Sequence, residues 1–266
     1  MRRDVSRDRY TVEAVARLAR VCALFSPQRR DLGLREIAGL AGIPLRTAVK
    51  IVATLERQAL LAPAGDGRWA LGPAWLRIAD LKRGRIDVRA AAVPVMRAMR
   101  EKLNETNILA IRAGDRRLVV ECLISTQPVR RMSAVGDETP LHVGSSGRAM
   151  LAGLDDAAIA AYLARTRLVN CGYDTVTDPA RIWSDIRKVR RAGWLTAAAE
   201  ITKDSFSVSA QVRTYAGEVV AALTIIFPLS RLTDELRDHA IHLTVDGARR
   251  ISHRLGFVAE NAARSA

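Results

Sequence analysis

The apolar positions between residues 33 and 61, GLREIAGLAGIPLRTAVKIVATLERQALL, repeat with a helical period on both sides of one break. Leu34, Ile37, Ala38 and Ala41 fall on one face of a short helix. Ala48, Ile51, Val52 and Leu55 fall on one face of a second, spaced i, i+3, i+4, i+7. Gly42 breaks the first helix, and Pro44 stands where a new helix can start without wasting a donor. Two helices joined by a tight, Gly-containing turn predict a helix-turn-helix, with the second helix as the reader.

The same pattern extends along the chain. Thr11 is expected to cap a helix through about residue 25, with Val12, Val15, Ala16, Ala19 and Leu24 inward. APAGDGRWALG predicts a hairpin of strands 60–62 and 68–71 about Gly65-Asp66-Gly67. Helix, helix-turn-helix and hairpin together make the winged form of the motif. Residues 73–85 predict a helix with Trp75, Leu76, Ile78, Ala79 and Leu81 apolar, running into Lys82-Arg83-Gly84-Arg85, where Gly84 is a natural break.

A further helix is expected over 88–105, started or kinked by Pro94. Strands follow at 107–112 and 117–123, joined at Ala113-Gly114-Asp115, and a third at 129–135. Asp178-Pro179 opens a helix that stops at Gly193. A hairpin of strands 208–215 and 218–227 turns about Ala216-Gly217. The last helix starts after Thr233, carries Leu236, Ala240, Leu243 and Ile251 inward and ends at Leu255-Gly256. Grouped strands with flanking helices and no regular βαβ repetition indicate an α+β class. The expected division is a flexible arm 1–9, a winged helix-turn-helix domain 10–72, a linker helix 73–87, a second, α+β domain 88–258 and a flexible tail 259–266.

At 266 residues the chain is long enough for two cores. Its net charge of +14 points to a polyanionic partner or a negative surface. Residues 1–89 hold 18 Lys+Arg against 9 Asp+Glu, and residues 90–266 hold 24 against 19, so the front third carries most of the surplus. Cys22, Cys122 and Cys171 are odd in number and widely spaced, which fits a reducing compartment better than disulfides or a zinc module. No segment approaches 18 apolar residues, and MRRDVSRDRY leads into no signal-peptide core. A soluble, cytoplasmic protein with no membrane association is expected.

Arg46, Thr47 and Lys50 lie early in the second helix, away from its apolar stripe. Arg and Lys can donate to a guanine edge, and Thr can meet a phosphate or a thymine methyl. Arg35 and Leu45, near the starts of the two helices, join this candidate DNA-facing set, with Arg68 at the hairpin tip as a phosphate or minor-groove contact. An ordinary solvated helical hairpin shows the same spacing. In the second half, Gly144-Ser145-Ser146-Gly147 has Arg148 where a nucleophile elbow needs Gly, and nothing in the sequence orients His142, so no catalytic residue is assigned. His239, His242 and His253 with Asp238 and Asp246 lack a metal-site motif, so neither metal nor cofactor is expected.

The helix-turn-helix GLAGIPLRTAVKIVATLERQALL, the wing GDGRWALGPAWLRIA and the later PLHVGSSGRAMLAGL resemble the IclR family of bacterial transcriptional regulators, over residues 10–256. The resemblance implies a winged helix-turn-helix, a linker helix that pairs with a second subunit, a GAF-like effector domain, and binding to promoter DNA as a dimer or tetramer. Members carry a Ser-Thr pair early in the recognition helix and an Arg three residues on; here Arg46, Thr47 and Lys50 stand there.

The resemblance also implies a small-molecule pocket. Its matching positions are Val129, Met132, Ser145, Ser146, Glu200, Ser205, Ser207, Thr224 and Ile226. Asp204 stands where members have Gly, and Ile226-Phe227-Pro228 where they have Ser-Gly-Pro, making that end more apolar. The residues themselves leave a Ser cap on a structural helix open beside an anion site at a helix N-terminus. The expected effector is a small organic acid, aromatic before two- or three-carbon, with Glu200 at the rim meeting a ligand hydroxyl or a nearby Arg. The functional expectation is a regulator of a catabolic operon; an enzyme of a small acid fused to a DNA-binding module, or a winged helix used only for protein contacts, are the alternatives.

Overall fold

The structure, a computed structural model, describes residues 11–26, 29–83 and 87–258. The arm 1–9, the tail 259–266 and the break at Gly84 lie outside the described residues. The chain divides into two compact units, Met1–Ile86 and Asp87–Ala266.

The first unit carries helices α1 (Glu13–Cys22), α2 (Leu34–Ala41) and α3 (Leu45–Arg57), strands β1 (Asp31–Gly33), β2 (Leu61–Gly65) and β3 (Arg68–Leu71), and helix α4 (Ala74–Arg83). Gly42 ends α2 in the left-handed region at φ 62°, and the chain bends by 111° between α2 and α3. Val21, Leu32, Ile37, Ile43, Val52, Leu55 and Leu61 form the core beneath this bend. The face of α1 differs from expectation. Val12 and Val15 are largely exposed, Val12 rather than Thr11 is the N-cap, and Val21 is the fully buried contact.

The wing has three strands, ordered β1-β3-β2, because Leu32 pairs with Trp69 and Gly33 with Arg68. Asp66 and Gly67 both have positive φ, 50° and 67°, the two-residue turn whose twist matches its flanking strands. Strand β1 is too short for a period-two pattern, so the sequence reading passed over it. Helix α4 begins on the wing, where Trp75 Nε1 donates to the Leu60 carbonyl at 2.8 Å.

The second unit is an antiparallel six-stranded sheet, and the α+β layout accords with a GAF-like domain. Its strands are β4 (Thr106–Ala113), β5 (Arg116–Leu123), β6 (Glu138–Pro140), β7 (Trp194–Ala198), β8 (Phe206–Arg213) and β9 (Val219–Phe227), in the order β6-β5-β4-β9-β8-β7. Period-two alternation splits its side chains. Leu223, Ile225 and Phe227 join the core under α5 (Val88–Leu103) and α9 (Asp234–Arg254). Ala110 and Ala222 join a second core under α6 (Gly144–Leu151), α7 (Asp156–Arg165) and α8 (Pro179–Ala192).

Helix α5 runs through Pro94 and stops at Asn104, which is left-handed at φ 49°, so Glu105 is not helical. Asp178 caps α8 by accepting from the Ala180 and Arg181 amides, and Thr233 caps α9 by accepting from the Leu236 amide. The strand expected at 129–135 is absent. Residues 124–137 form a loop, and the edge of β5 pairs instead with β6, Leu118 opposite Glu138. This loop is tied by side chains: Thr106 Oγ1 donates to the Arg131 carbonyl at 2.6 Å and Arg231 Nη1 to the Val129 carbonyl at 2.6 Å. Val129 and Val135 point outward, so their β propensity finds no face to cover. Among the described residues no single helix is long and apolar enough to cross a membrane.

Candidate functional site

In the first unit, α3 buries Ala48, Val52 and Leu55 and so turns Arg46 and Lys50 outward, with Leu45 exposed beside them and Thr47 half-buried. Arg35 is exposed on α2. The side chains of Arg35, Arg46 and Lys50 are exposed and make no hydrogen bond or ion pair among the described residues.

Arg68 differs. Its guanidinium holds the Asp31 carboxylate, donates to the Asp31 carbonyl at 3.1 Å and lies 3.0 Å from Glu36, whose carboxylate also accepts from the Gly33 amide at 2.8 Å. The expected hairpin-tip cation therefore ties the wing to the start of α2. The pairing of β1 with β3 places it there.

In the second unit, a cavity of about 270 Å³ lies between α6 and the sheet. It brings together Met132, Ser145, Ser146, Glu200, Ser205, Ser207, Thr224 and Ile226 from the expected set. Val129 is left out, 62% exposed on the loop. Phe227 is on the other face of the sheet, 5.2 Å from the Phe206 ring, and is no wall of this cavity.

Helix α6 starts ahead of the two serines that the sequence offered as its cap. Val143 is the N-cap, so Ser145 and Ser146 sit inside the first turn rather than before it. The helix comes close to the chain below it; a Cβ on Gly147 would stand 2.4 Å from the Leu141 carbonyl oxygen. Ser145 Oγ lies 2.8 Å from both Ser207 Oγ and Ser209 Oγ, and Ser209 Oγ lies 2.7 Å from Thr224 Oγ1. A hydroxyl row thus runs from α6 across β8 to β9.

Glu200 accepts from the Gly144 amide at 3.0 Å and from Arg148 Nη1 at 2.8 Å, and pairs again through Nη2. Arg148 is 1% exposed, and its Nε lies 3.0 Å from Asp185. Of the two partners that the sequence offered Glu200, a ligand hydroxyl or a nearby Arg, the structure supplies an arginine, Arg148.

His142 has Nδ1 3.1 Å from the Tyr162 hydroxyl and Nε2 3.1 Å from the Val169 carbonyl, and it activates no serine. Burial pushes its imidazole below the ordinary value. Among the described residues no group of three or more His, Cys, Asp or Glu could hold a metal ion.

The sequence reading missed Ile108, Arg117, Arg131, Thr139 and Thr202 in the cavity wall. Arg117 had a signal. It shares the inward phase of β5 with Val119, while Arg116 takes the outward one. A larger open cleft of about 820 Å³ runs along β7, lined by Arg181, Lys188 and Arg191 together with Asp174 and Asp178. It holds only Glu200 of the expected residues.

A winged helix-turn-helix in one unit and an α+β sensor-like domain in the next is the build of a DNA-binding transcriptional regulator. Residues 14–63 match the IclR helix-turn-helix domain, and residues 82–253 match the bacterial transcriptional regulator IclR C-terminal family. The chain belongs to the IclR family of bacterial transcriptional regulators.

It is 28% identical to the HTH-type transcriptional regulator KipR of Bacillus subtilis over 227 residues, 85% of this chain and 91% of that one. An IclR transcriptional regulator from a Silicibacter species shares the fold, with a TM-score of 0.85 at 23% identity over 92% of this chain and 97% of that one. An IclR homologue from Microbacterium hydrocarbonoxydans, complexed with 4-hydroxybenzoate, aligns with a TM-score of 0.58 at 26% identity over 91% and 99%. Relatives are named as transcriptional regulators and repressors, in keeping with that family.

Proposed function

We propose that this regulator binds promoter DNA through α3 and changes its occupancy when a small organic acid, aromatic before aliphatic, enters the cavity under α6. DNA contact is assigned to Arg35, Leu45, Arg46, Thr47 and Lys50, and effector contact to Met132, Ser145, Ser146, Glu200, Ser205, Ser207, Thr224 and Ile226. The protein acts in the cytoplasm as a dimer or tetramer, on a catabolic operon. Its working parts are a DNA-binding domain over 10–72, a linker helix over 73–87 and an effector domain over 88–258.

One observation carries the effector reading: a 270 Å³ cavity with the apolar side chains Ile108, Met132 and Ile226 on one part of its wall and hydroxyls on another. Its size sits near the lower end of small-molecule sites, about 300–1,000 Å³, which suits an acid of one ring. The related protein complexed with 4-hydroxybenzoate supports the same chemical class.

Fluorescence anisotropy with the DNA upstream of its own gene, at several salt concentrations, tests this. Salt-dependent binding that shifts on adding benzoate or 4-hydroxybenzoate is expected. Binding that responds to glyoxylate or pyruvate alone overturns the aromatic class. Absence of salt-dependent binding overturns α3 as the DNA surface.

A further inference from the structure

We infer that Arg117 receives the anionic head of the effector, so that the ligand lies carboxylate-first at the β5–β6 end of the cavity with its body across β4 and β9. The inference rests on the effector reading of this cavity.

Among the described residues two arginines are deeply buried, Arg148 on α6 and Arg117 on β5, and they are treated differently. Arg148, 1% exposed, has Glu200 and Asp185 in contact. Arg117, 5% exposed, has no carboxylate in ion-pair contact among the described residues. Its Nε donates to Thr139 Oγ1 at 3.0 Å and its Nη1 reaches Ser146 Oγ only at 3.5 Å, the two side-chain hydrogen bonds it makes among the described residues. Burial pushes its guanidinium below the usual arginine range, with Asp137 acting in the opposite direction.

Arginine stays charged in proteins, and a buried charge without a counter-ion is costly. The neighbouring acids Asp137 and Glu138 line the same cavity, and each has one carboxylate oxygen engaged elsewhere. Asp137 accepts from Ser133 Oγ at 2.9 Å and from the Ala134 amide at 2.7 Å, and Glu138 pairs with Arg116 at 2.7 Å. The missing partner is an anion from outside the chain, and a planar guanidinium fork fits a carboxylate in two-point contact.

Helix α6 is the weaker anchor. The Glu200 carboxylate already takes the Gly144 amide, and Ser145 is held by Ser207 and Ser209. Ser146, in contrast, faces Arg117 and can close on the same head group.

Strand order gives the orientation. Arg117 and Ser207 stand on β5 and β8, strands that are separated by β4 and β9, three strand spacings or about 14 Å across the sheet. Ile108 on β4 and Thr224 and Ile226 on β9 lie between them and line the cavity. A carboxylate on Arg117 therefore places an aromatic ring over Ile108 and Ile226 and aims a distal hydroxyl towards Ser205 and Ser207.

Thermal shift and calorimetry on the full chain test this with two matched pairs, benzoate against benzamide and 4-hydroxybenzoate against 4-hydroxybenzamide, with inorganic phosphate alongside. The wild type is expected to bind each acid at least tenfold more tightly than its neutral amide. Arg117→Met is expected to lose that preference while keeping its DNA affinity in the absence of ligand, and Ser207→Ala to weaken 4-hydroxybenzoate more than benzoate.

Equal affinity of the wild type for acid and amide overturns the inference without any variant. So does an unchanged acid preference in Arg117→Met, which leaves the effector reading standing. If Arg117→Met does not fold, Arg117→Lys decides: a fall of several-fold in acid affinity supports the two-point contact, and no change overturns it. Phosphate binding as tightly as the acids overturns the carboxylate assignment. A wild type that responds to neither acids nor amides fails the effector reading itself and takes this inference with it.

Discussion

Arg148 and Glu200 form a buried two-point ion pair that joins helix α6 to the loop ahead of β8, with Glu200 also taking the amide of Gly144 at the start of that helix. Arg148 continues to Asp185 on α8, so one guanidinium fastens three segments around the cavity. Removing it leaves the buried Glu200 carboxylate without that cation and Asp185 with Lys188, at 3.2 Å. Arg148→Met is expected to destabilise the second unit by about 3–5 kcal/mol. Glu200→Gln keeps an acceptor for the Gly144 amide and should cost less. Urea titrations of both variants check the order; equal, small losses would show that the pair is dispensable.

His142 gives the second unit a defined pH response. The side chain is fully buried, and burial, with Arg148 adding in the same direction, holds the imidazole below its ordinary value of 6.5; the Val169 carbonyl and Glu200 oppose this. The unfolded chain takes up a proton near 6.5 that the folded chain resists. Stability from this site is therefore present above 6.5 and lost as pH falls through the folded value, by at most about 1.4 kcal/mol per pH unit for one proton. His142→Gln, which can still donate to Val169, should flatten that slope. Melting curves between pH 5 and 8 decide; a parallel decline in both proteins assigns the response elsewhere.

The helix-turn-helix was legible because its two apolar stripes and the Gly42 break are local signals, and Asp178-Pro179 and Thr233 mark helix starts in the same way. What failed depends on long-range pairing. Residues 129–135 carry strand-like side chains, yet β5 takes Glu138–Pro140 as its neighbour, and no local pattern decides between those partners. Arg68 looked like a free tip cation because Asp31 and Glu36 are more than thirty residues away in sequence. Most of the cavity wall followed from the family resemblance. Arg117 could only have come from its phase on β5, because which of two adjacent arginines turns inward depends on β6 and α6 above it.

On DNA, three of the four cations named from sequence should behave differently. Arg46→Ala, if the guanidinium reads a guanine, should cost about 1–3 kcal/mol and relax preference at one base position. Lys50→Ala, as a phosphate contact, should weaken all sequences alike and reduce the salt slope by about one. Arg68→Ala should lower the melting temperature of the first unit, through loss of its contacts to Asp31 and Glu36, and leave the salt slope unchanged. Anisotropy titrations at several salt concentrations separate the three; a fall in salt slope for Arg68→Ala would restore it as a phosphate contact.

Assembly is expected to run through α4. Trp75 is fixed on its own wing by the Leu60 carbonyl, but Leu76 is 74% and Ile78 51% exposed on the same helix. Leu76 and Ile78 stand two residues apart and so point to different sides of α4; a two-fold pairing of α4 with its copy would cover Leu76. Leu76→Glu would then bury a charge without a counter-ion at the contact and should dissociate the oligomer. The loss should reach the DNA as well, because a two-fold regulator reads two half-sites and a dissociated one reads a single half-site with a lower salt slope. Sedimentation of both proteins at micromolar concentration, followed by titration of full and half operators, tests each step. A wild type that sediments as a monomer yet binds the full site tightly would rule out α4 as the seam, and so would a Leu76→Glu variant that keeps the wild-type mass.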